Sequence, residues 1–228
     1  MREGHDTDGV VPLPCPPRAP GPPRLVPVLI RCGATAEAAE SVEADLLSRW
    51  REPHRRYHDH RHLAEVLDRV EHLAAHAVHL DRVRCAAWWH DAVHDGRAGD
   101  DERASAALAR EQLSGLGVPD RDVEAVARLV LLTVDHDPGS PPDPDAAVLC
   151  DADLGVLAAP ARRYDGYAAD VRLEYAHVPD AQFNHGRSAV LRGLLTAPRL
   201  FRTPTGAAWE EPARDNVNRE LARLAAQR

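Results

Sequence analysis

Residues 61–76 read RHLAEVLDRVEHLAAH, and this stretch indicates the fold class most clearly. Its apolar residues recur at intervals of three and four positions: Leu63, Val66, Leu67, Val70 and Leu73. Because an α-helix completes a turn about every 3.6 residues, this spacing places them on one face. The stretch therefore predicts an amphipathic helix whose apolar face packs against a core.

The same period continues outward from this helix in both directions. The predicted helices span residues 35–50, 61–76, 83–94, 100–117, 119–134, 145–159, 161–178, 180–196 and 210–227. No segment shows the sustained two-residue alternation that predicts a β-strand. We therefore predict an all-α fold with one domain over residues 35–228, in which a C-terminal helical extension begins at about residue 160.

Residues 1–34 form a different kind of segment, because they include the run VVPLPCPPRAPGPPRLVP. Proline lacks the backbone N–H that helices and sheets need, so such a run does not pack as either element. We predict that residues 1–34 are a disordered, proline-rich leader.

The charge balance limits the classes of binding partner. The net charge is −8, whereas nonspecific nucleic-acid binding usually needs a basic face, so we expect none here. All 28 basic residues are arginine. An anionic substrate would need local positive charge, from a metal ion or from clustered arginines.

The cysteines and the apolar runs indicate the cellular compartment. Cys15, Cys32, Cys85 and Cys150 are scattered and lack the C-x-x-C spacing of a zinc ribbon, and they do not form a disulfide framework. The chain has no run of about 20 apolar residues and no signal-peptide hydrophobic region. These features predict a cytoplasmic protein without a membrane span.

The stretch WWHDAVHD, residues 88–95, is the first candidate for chemistry. The His-Asp pair occurs five times in the chain, so context has to distinguish among the copies. His90 and Asp91 follow the apolar run CAAWW, which indicates a helix buried on one side. Burying an ionised carboxylate without a partner is costly, and a cation removes that cost. The pair therefore predicts metal binding in a groove between helices.

Further ligands must come from other helices, and two segments offer them. His58 and His62 are four residues apart, which places them on one helical face. Asp151 and Asp153 lie among Leu149, Leu154 and Val156, where solvated acids are not expected. The order along the chain is thus His, His-Asp and Asp.

Seven short motifs in the sequence belong to one pattern. They are Arg55-Arg56-Tyr57-His58 with His62, Trp89-His90-Asp91-Ala92-Val93-His94-Asp95, Asp101-Glu102 with Ser105-Ala106, Asp151-Ala152-Asp153-Leu154, Arg172-Leu173-Glu174-Tyr175, Gly186-Arg187, and Ala213-Arg214-Asp215-Asn216. In this order they resemble the HD superfamily of metal-dependent phosphohydrolases, and most closely its branch of predicted phosphohydrolases of unknown substrate. The resemblance covers about residues 40–225 and implies a single HD-type helical bundle.

The resemblance also implies roles for individual residues. It implies that a divalent metal (Mn, Mg, Co, Fe or Zn) is coordinated by His62, His90, Asp91 and Asp153. His58 and Asp151 would orient the ligands or a water molecule, and Glu102 belongs to the same surrounding shell. The chain departs from the branch at His94, where tyrosine is usual, and at Asp101, where asparagine is usual.

This ligand set suggests a mechanism. Two imidazoles and two carboxylates leave positions on the metal for water and for a phosphoryl oxygen. Asp95, four residues after Asp91 on the predicted helix, is the candidate general acid or base, with His94 and His58 as further catalytic candidates. In the stringent-response nucleotide hydrolases of the superfamily, an acid pair follows His-Asp at the positions of His94 and Asp95. The candidate substrate-binding residues are Arg56, Arg172 and Arg187, because planar guanidinium groups match phosphate oxygens.

We therefore expect a phosphohydrolase that cleaves a small phosphomonoester or phosphodiester, with nucleotides among the candidate substrates. Two alternatives remain open. Some members of the superfamily hold two irons and use O₂, which needs extra histidines, and His94 and His136 lie in the right interval. His136 also fits a partner for a helix dipole. The other alternative is a catalytically silent nucleotide-binding domain. The metal's identity, the number of metals and the oligomeric state are open at this point.

Overall fold

The computed structural model describes residues 23–139 and 142–226. Over these residues the chain is all-α, with short 3₁₀ turns and no strand, as predicted. The α-helices are α1 (Val26–Arg31), α2 (Ala36–Arg49), α3 (His60–His72), α4 (Leu80–Trp89), α5 (Asp100–Gly115), α6 (Asp120–Leu131), α7 (Pro144–Leu154), α8 (Ala161–Glu174), α9 (Asp180–Thr196) and α10 (Glu210–Ala226).

Side-chain caps fix where several helices begin. The Asp59 carboxylate accepts hydrogen bonds from the N–H groups of Arg61 and His62, so α3 starts at His60, two residues before His62. The Asp143 carboxylate caps α7 in the same way. Such caps satisfy backbone donors that have no partner within the helix.

The centre of the molecule is formed by α3, α4 and α7, which pack against one another. The apolar face of α3 is buried as its period predicts, with Leu63, Val66 and Val70 fully enclosed. Trp88 and Trp89 of α4 are also buried, and the hairpin of α5 and α6 covers the outer side of α4. The helices that carry the candidate ligands therefore form the most enclosed part of the fold.

The last third of the chain packs onto this centre through α10. Asn216 donates hydrogen bonds from Nδ2 to the carbonyls of Leu157 and Ala159, at 2.8 Å each. These carbonyls belong to the turn after α7, so α10 is joined to the end of that helix. The division into a main domain and an extension from about residue 160 stays a prediction.

Part of the predicted leader is folded. α1 lies within residues 1–34, and Leu25, Val28 and Leu29 are buried in the core. The Glu43 carboxylate accepts from the N–H groups of Leu25 and Val26, which fixes the start of α1. The only proline inside α1 lies in its first turn, where no intrahelical N–H bond is lost. Helix α1 thus lies inside the segment that was predicted to be a leader, and residues 1–22 of that segment lie outside the described residues.

The predicted helix over residues 83–94 ends earlier than expected, because α4 stops at Trp89 and His90 is its C-cap. Side chains from the segment before α3 donate hydrogen bonds to the carbonyls at this end. Trp50 Nε1 donates to the Trp88 carbonyl at 3.0 Å, and the Arg55 guanidinium donates to the Asp91 carbonyl at 2.7 Å. These carbonyls accept hydrogen bonds from side chains outside the helix. The helix can therefore end here without leaving them unpaired.

No helix in the described part of the chain combines the length and the apolar character that are needed to cross a bilayer.

Candidate metal centre

Four side chains converge where α3, α4 and α7 meet. His62 lies in the first turn of α3, His90 caps α4, Asp91 follows it, and Asp153 is in the last turn of α7. His62 Nε2 is 3.1 Å from His90 Nε2 and 3.1 Å from Asp153 Oδ1. Asp91 Oδ2 is 3.2 Å from His90 Nε2 and 3.7 Å from His62 Nε2. The structure thus brings His62, His90 and Asp153 into one group that could hold a metal ion, and Asp91 lies beside its two histidines.

These distances suit a shared cation. In six-coordinate geometry with bonds of about 2.1 Å, neighbouring ligand atoms lie about 3 Å apart. Two imidazole nitrogens and two carboxylate oxygens are donors that divalent transition metals accept. His90 Nδ1 contacts the Ala87 carbonyl at 2.8 Å, which assigns the proton to Nδ1 and leaves the Nε2 lone pair facing the other three groups. The donor set therefore fits a divalent metal.

The electrostatics of the group agree with this assignment. His62 and His90 are each only 1% exposed. Burial alone would raise the pKa of Asp91 and of Asp153, but the positive charge of His90 outweighs burial and holds both pKa values below the usual range. Burial alone would lower the pKa of His90, yet the two carboxylates raise it to about 9. The carboxylates therefore remain charged and need a cation, either protons on the histidines or a metal ion.

His136 contacts the second carboxylate oxygen of Asp153. Its Nε2 is 2.8 Å from Asp153 Oδ2, whereas Asp153 Oδ1 faces His62. His136 has a φ of 54°, a left-handed conformation that is uncommon outside glycine. The helix-dipole interpretation of His136 therefore omitted its main contact, which is with a candidate metal ligand.

A second group of donors lies nearby and consists of His58, His94 and Glu174. Glu174 Oε1 accepts from the N–H groups of Arg56, Tyr57 and His58 at 2.8, 2.9 and 2.9 Å. Glu174 Oε2 is 2.7 Å from His58 Nδ1 and 3.7 Å from His94 Nε2. The sequence analysis assigned no role to Glu174, although the word Arg172-Leu173-Glu174-Tyr175 contained it.

Both groups border one cavity of about 190 Å³. His58 and His94 of the second group line it, together with Asp91 and Asp153 of the first. The acids Asp101 and Glu102 also line it, and no arginine of the described residues does. The cavity is thus rich in carboxylates and histidines, which sets the charge that any ligand meets.

The predicted substrate-binding arginines lie elsewhere. Arg172 donates to Asp180 Oδ1 and to the Tyr175 carbonyl, at 2.6 Å each. Arg187 is buried against Glu220, with Nε 2.8 Å from Oε1. Arg56 is exposed, and its main-chain N–H rather than its side chain contacts Glu174. None of the three predicted arginines lines the cavity, because nearby acids and carbonyls already occupy Arg172 and Arg187.

Asp95 and Asp151 also differ from expectation. Asp95 is exposed and outside the cavity, because α4 ends before it and the two acids share no helical face. Asp151 is fully buried but faces away from the ligands: its carboxylate accepts from the N–H groups of Arg202 and Thr203 at 2.8 Å each. The contacts of Asp151 therefore do not support the predicted role, in which Asp151 orients the metal ligands.

Two further residues support the site. Glu102 lines the cavity, and its carboxylate accepts from the Gly99 N–H rather than from a ligand. Arg55, which the sequence analysis quoted without assigning a role, has a fully buried side chain. It donates to the carbonyls of His58 and Asp91, so it joins the loop before α3 to the end of α4. Arg55 thereby positions one residue of each donor group.

Comparison of the chain with models of known protein families gives no match, and no similar chain was found among curated proteins or solved structures. The structure itself shows an all-helical fold with buried His/Asp groups that could bind a metal ion.

Proposed function

We propose that this protein is a metal-dependent phosphohydrolase of the HD type, which its sequence words resemble. One observation carries the proposal: the Nε2 atoms of His62 and His90 lie 3.1 Å from each other and 3.1–3.7 Å from carboxylate oxygens of Asp91 and Asp153, and both acids line a cavity. They would hold one divalent ion of the Mn, Mg, Co, Fe or Zn group. When bound, such an ion lowers the pKa of water and neutralises charge that develops on phosphorus.

The chain's own residues keep these ligands in place. The Ala87 carbonyl holds the tautomer of His90, and His136 holds one oxygen of Asp153. Arg55 holds the main chain of Asp91. Such supporting contacts typically change metal affinity or activity 10–100-fold when they are removed, so this shell supports a functional rather than incidental cluster.

The size of the cavity favours a small phosphoester. At about 190 Å³ the cavity is smaller than the roughly 300–1,000 Å³ of pockets that enclose a whole drug-sized ligand. It has room for the phosphoryl group of a phosphoester and for a small part of the alcohol that is esterified to it. The base of a nucleotide substrate would therefore lie outside the cavity. Since no arginine of the described residues lines it, positive charge for the phosphate must come from metal or from the histidines.

The two other functions have less support. The two-iron alternative relied on His94 and His136 as extra ligands of one site, yet His94 lies beside Glu174 whereas His136 contacts Asp153. A silent nucleotide-binding domain needs an enclosing pocket, and the cavity is small for that purpose.

The test is a screen of phosphomonoesters and phosphodiesters with purified protein and added Mn²⁺, Co²⁺ or Mg²⁺. His90→Asn should reduce phosphate or alcohol release by roughly 10³-fold, since a metal contributes several kcal/mol to transition-state stabilisation. Asp95→Asn is the matched control, because Asp95 is an exposed acid of the same loop. No release from any substrate by metal-loaded protein would refute the proposal. Tight nucleotide binding without turnover would instead support the silent domain.

A further inference from the structure

Tyr175 lies in the wall of the cavity, together with the candidate ligands Asp91 and Asp153. It is the C-cap of α8, and its side chain is half-buried. No group of the described residues forms a hydrogen bond with its hydroxyl. The hydroxyl of Thr133, which also lines the cavity, already donates to a main-chain carbonyl at 2.8 Å. The phenol of Tyr175 therefore brings an unused hydrogen-bond donor to the cavity.

The unused hydroxyl distinguishes Tyr175 from the two tyrosines within α8. Tyr164 donates to the Glu220 carboxylate, and Tyr167 Oη accepts from the Arg187 guanidinium at 2.9 Å. Both of those phenols are therefore part of the packing between α8 and the C-terminal helices. A tyrosine hydroxyl in a protein interior usually has a partner, because burying it unpaired is costly. Beside a cavity, the partner of Tyr175 has to come from water or from a ligand.

Several contacts fix the position of this phenol. Arg172 donates to the Tyr175 carbonyl at 2.6 Å, and three N–H groups hold the preceding residue, Glu174. Gly96 brings main chain close to the ring: a Cβ there would lie 3.3 Å from Tyr175 Cε1 and 3.6 Å from its Oη. Gly96 has a φ of 75°, and the Asp101 carboxylate accepts from the N–H groups of the residues on either side of it. The phenol is thus held at the cavity before a ligand binds.

The surroundings of Tyr175 keep its hydroxyl protonated. Burial raises the pKa of Tyr175, and the nearby charges of Glu174 and Asp101 raise it further. The hydroxyl is therefore a donor throughout the neutral pH range. The carboxylates in the cavity wall accept hydrogen bonds and repel an anion, and no arginine of the described residues lines the cavity. A neutral phenol is suited to donate to an anionic oxygen in such a place.

We propose that the Tyr175 hydroxyl donates a hydrogen bond to a non-bridging phosphoryl oxygen of the substrate. The inference rests on the proposed function and adds a substrate-binding residue that the sequence analysis did not assign. Hydrogen bonds to a charged oxygen are stronger than those between neutral groups, so the phenol orients the phosphoryl group while the metal centre meets its charge. Arg172, which was predicted to bind phosphate, then acts indirectly, because it holds the main chain of Tyr175.

The experiment measures the binding of orthophosphate and does not depend on finding a substrate. The full-length protein is loaded with Mn²⁺, and the dissociation constant of orthophosphate is obtained from the broadening of its phosphorus NMR signal by the metal ion. Tyr175→Phe keeps the ring and removes only the hydroxyl, so orthophosphate should bind roughly 10-fold more weakly. Mn²⁺ affinity and the midpoint of urea unfolding should not change. The matched control, Tyr167→Phe, removes a phenol hydroxyl outside the cavity and should bind orthophosphate as the wild type does.

The outcomes separate this inference from the proposed function. Unchanged orthophosphate affinity in Tyr175→Phe would overturn the inference, and the substrate screen would still decide whether the protein is a phosphohydrolase. An equal loss of Mn²⁺ affinity in Tyr175→Phe would also overturn it, because the phenol would then act on the metal centre. Wild-type protein that binds Mn²⁺ but no orthophosphate would refute the phosphate contact, and protein that binds no Mn²⁺ would refute both proposals. For any substrate that the screen yields, Tyr175→Phe should raise KM by the same factor as it weakens orthophosphate binding.

Discussion

Two buried polar clusters in this molecule resemble each other in composition but differ in how their charges are balanced. In the C-terminal third, Arg187 pairs with Glu220 and also donates to Tyr167 Oη at 2.9 Å. Tyr164 donates to the same Glu220 carboxylate. At the meeting point of α3, α4 and α7, Asp91 and Asp153 face two buried histidines, and no arginine of the described residues forms an ion pair with either acid.

The difference separates a structural cluster from a binding cluster. A buried carboxylate with a permanent guanidinium partner is complete within the protein, although such pairs add little net stability. A pair of half-buried carboxylates that faces only imidazoles depends on protons or on an added cation. The first cluster should therefore respond to mutation but not to metal, whereas the second should respond to both.

The largest expected effect tests the self-contained cluster. Arg187→Met leaves Glu220 buried without its cation, and breaking such a pair by removing one partner costs about 3–5 kcal/mol. We expect this loss in the free energy of unfolding, measured by urea denaturation. Mn²⁺ binding should be unchanged, because Arg187 does not line the cavity.

The double variant Arg187→Met/Glu220→Met is the control for that experiment. It removes both charges at once, so it should be more stable than Arg187→Met alone. If the double variant is less stable than the single one, then packing and not the unpaired charge explains the loss.

The next effect tests the cluster that lacks a permanent cation. A ligand at about 100 times its dissociation constant stabilises the folded state by about 2.7 kcal/mol. For a chain of this length, that corresponds to a rise in Tm of roughly 5–10 °C. We expect this rise on addition of Mn²⁺ in differential scanning calorimetry. Arg187→Met should show the same rise from a lower starting temperature, and a rise in His90→Asn equal to that of the wild type would place the metal elsewhere.

Two acids of α7 sharpen the comparison, because Asp151 and Asp153 are two residues apart and face different groups. In Asp151→Asn, one carbonyl oxygen replaces two acceptors, and the new NH₂ faces the donors of Thr203. We expect a loss of about 1–3 kcal/mol in unfolding free energy with unchanged Mn²⁺ affinity. Asp153→Asn should show the opposite pattern, with loss of Mn²⁺ binding by calorimetry. Equal effects on metal binding would mean that the two acids act together.

The smallest effect is expected at an acid that belongs to neither cluster. Asp95 is exposed, and its carboxylate does not line the cavity. Asp95→Asn should therefore change the unfolding free energy by no more than about 0.5 kcal/mol. Mn²⁺ affinity should also stay the same, and a large decrease in calorimetric affinity would restore Asp95 as a candidate for the site.

The sequence predicted the helices well because their apolar faces are local information. α9 occupies residues 180–196 as predicted, and the face of α3 that carries Leu63 and Val66 is buried. His90, Asp91, Asp151 and Asp153 were likewise visible as ionisable residues beside apolar runs, whereas the choice of His62 and Asp153 as ligands came from the family resemblance. Helical period alone determines most of the secondary structure in this chain.

The predictions that differ from the structure share another cause. In each case, contacts with residues far away in the sequence determine the structure. Helical period cannot show that Trp50 and Arg55 occupy the carbonyls at the end of α4, and so it placed Asp95 on the wrong face. It also cannot show that the partner of Arg187 is Glu220, 33 residues later. Residue type suggested phosphate binding for Arg187, but the tertiary partner determines whether a guanidinium is free to bind a ligand.

The contact between Glu174 and the segment before α3 has a consequence for how the protein is made. The three N–H groups that its carboxylate accepts are 116–118 residues away along the chain. During translation, the loop with His58 emerges long before its acceptor does. That loop therefore acquires its final shape only after the end of α8 has left the ribosome, and a metal ion offered earlier meets His58 without Glu174 in place.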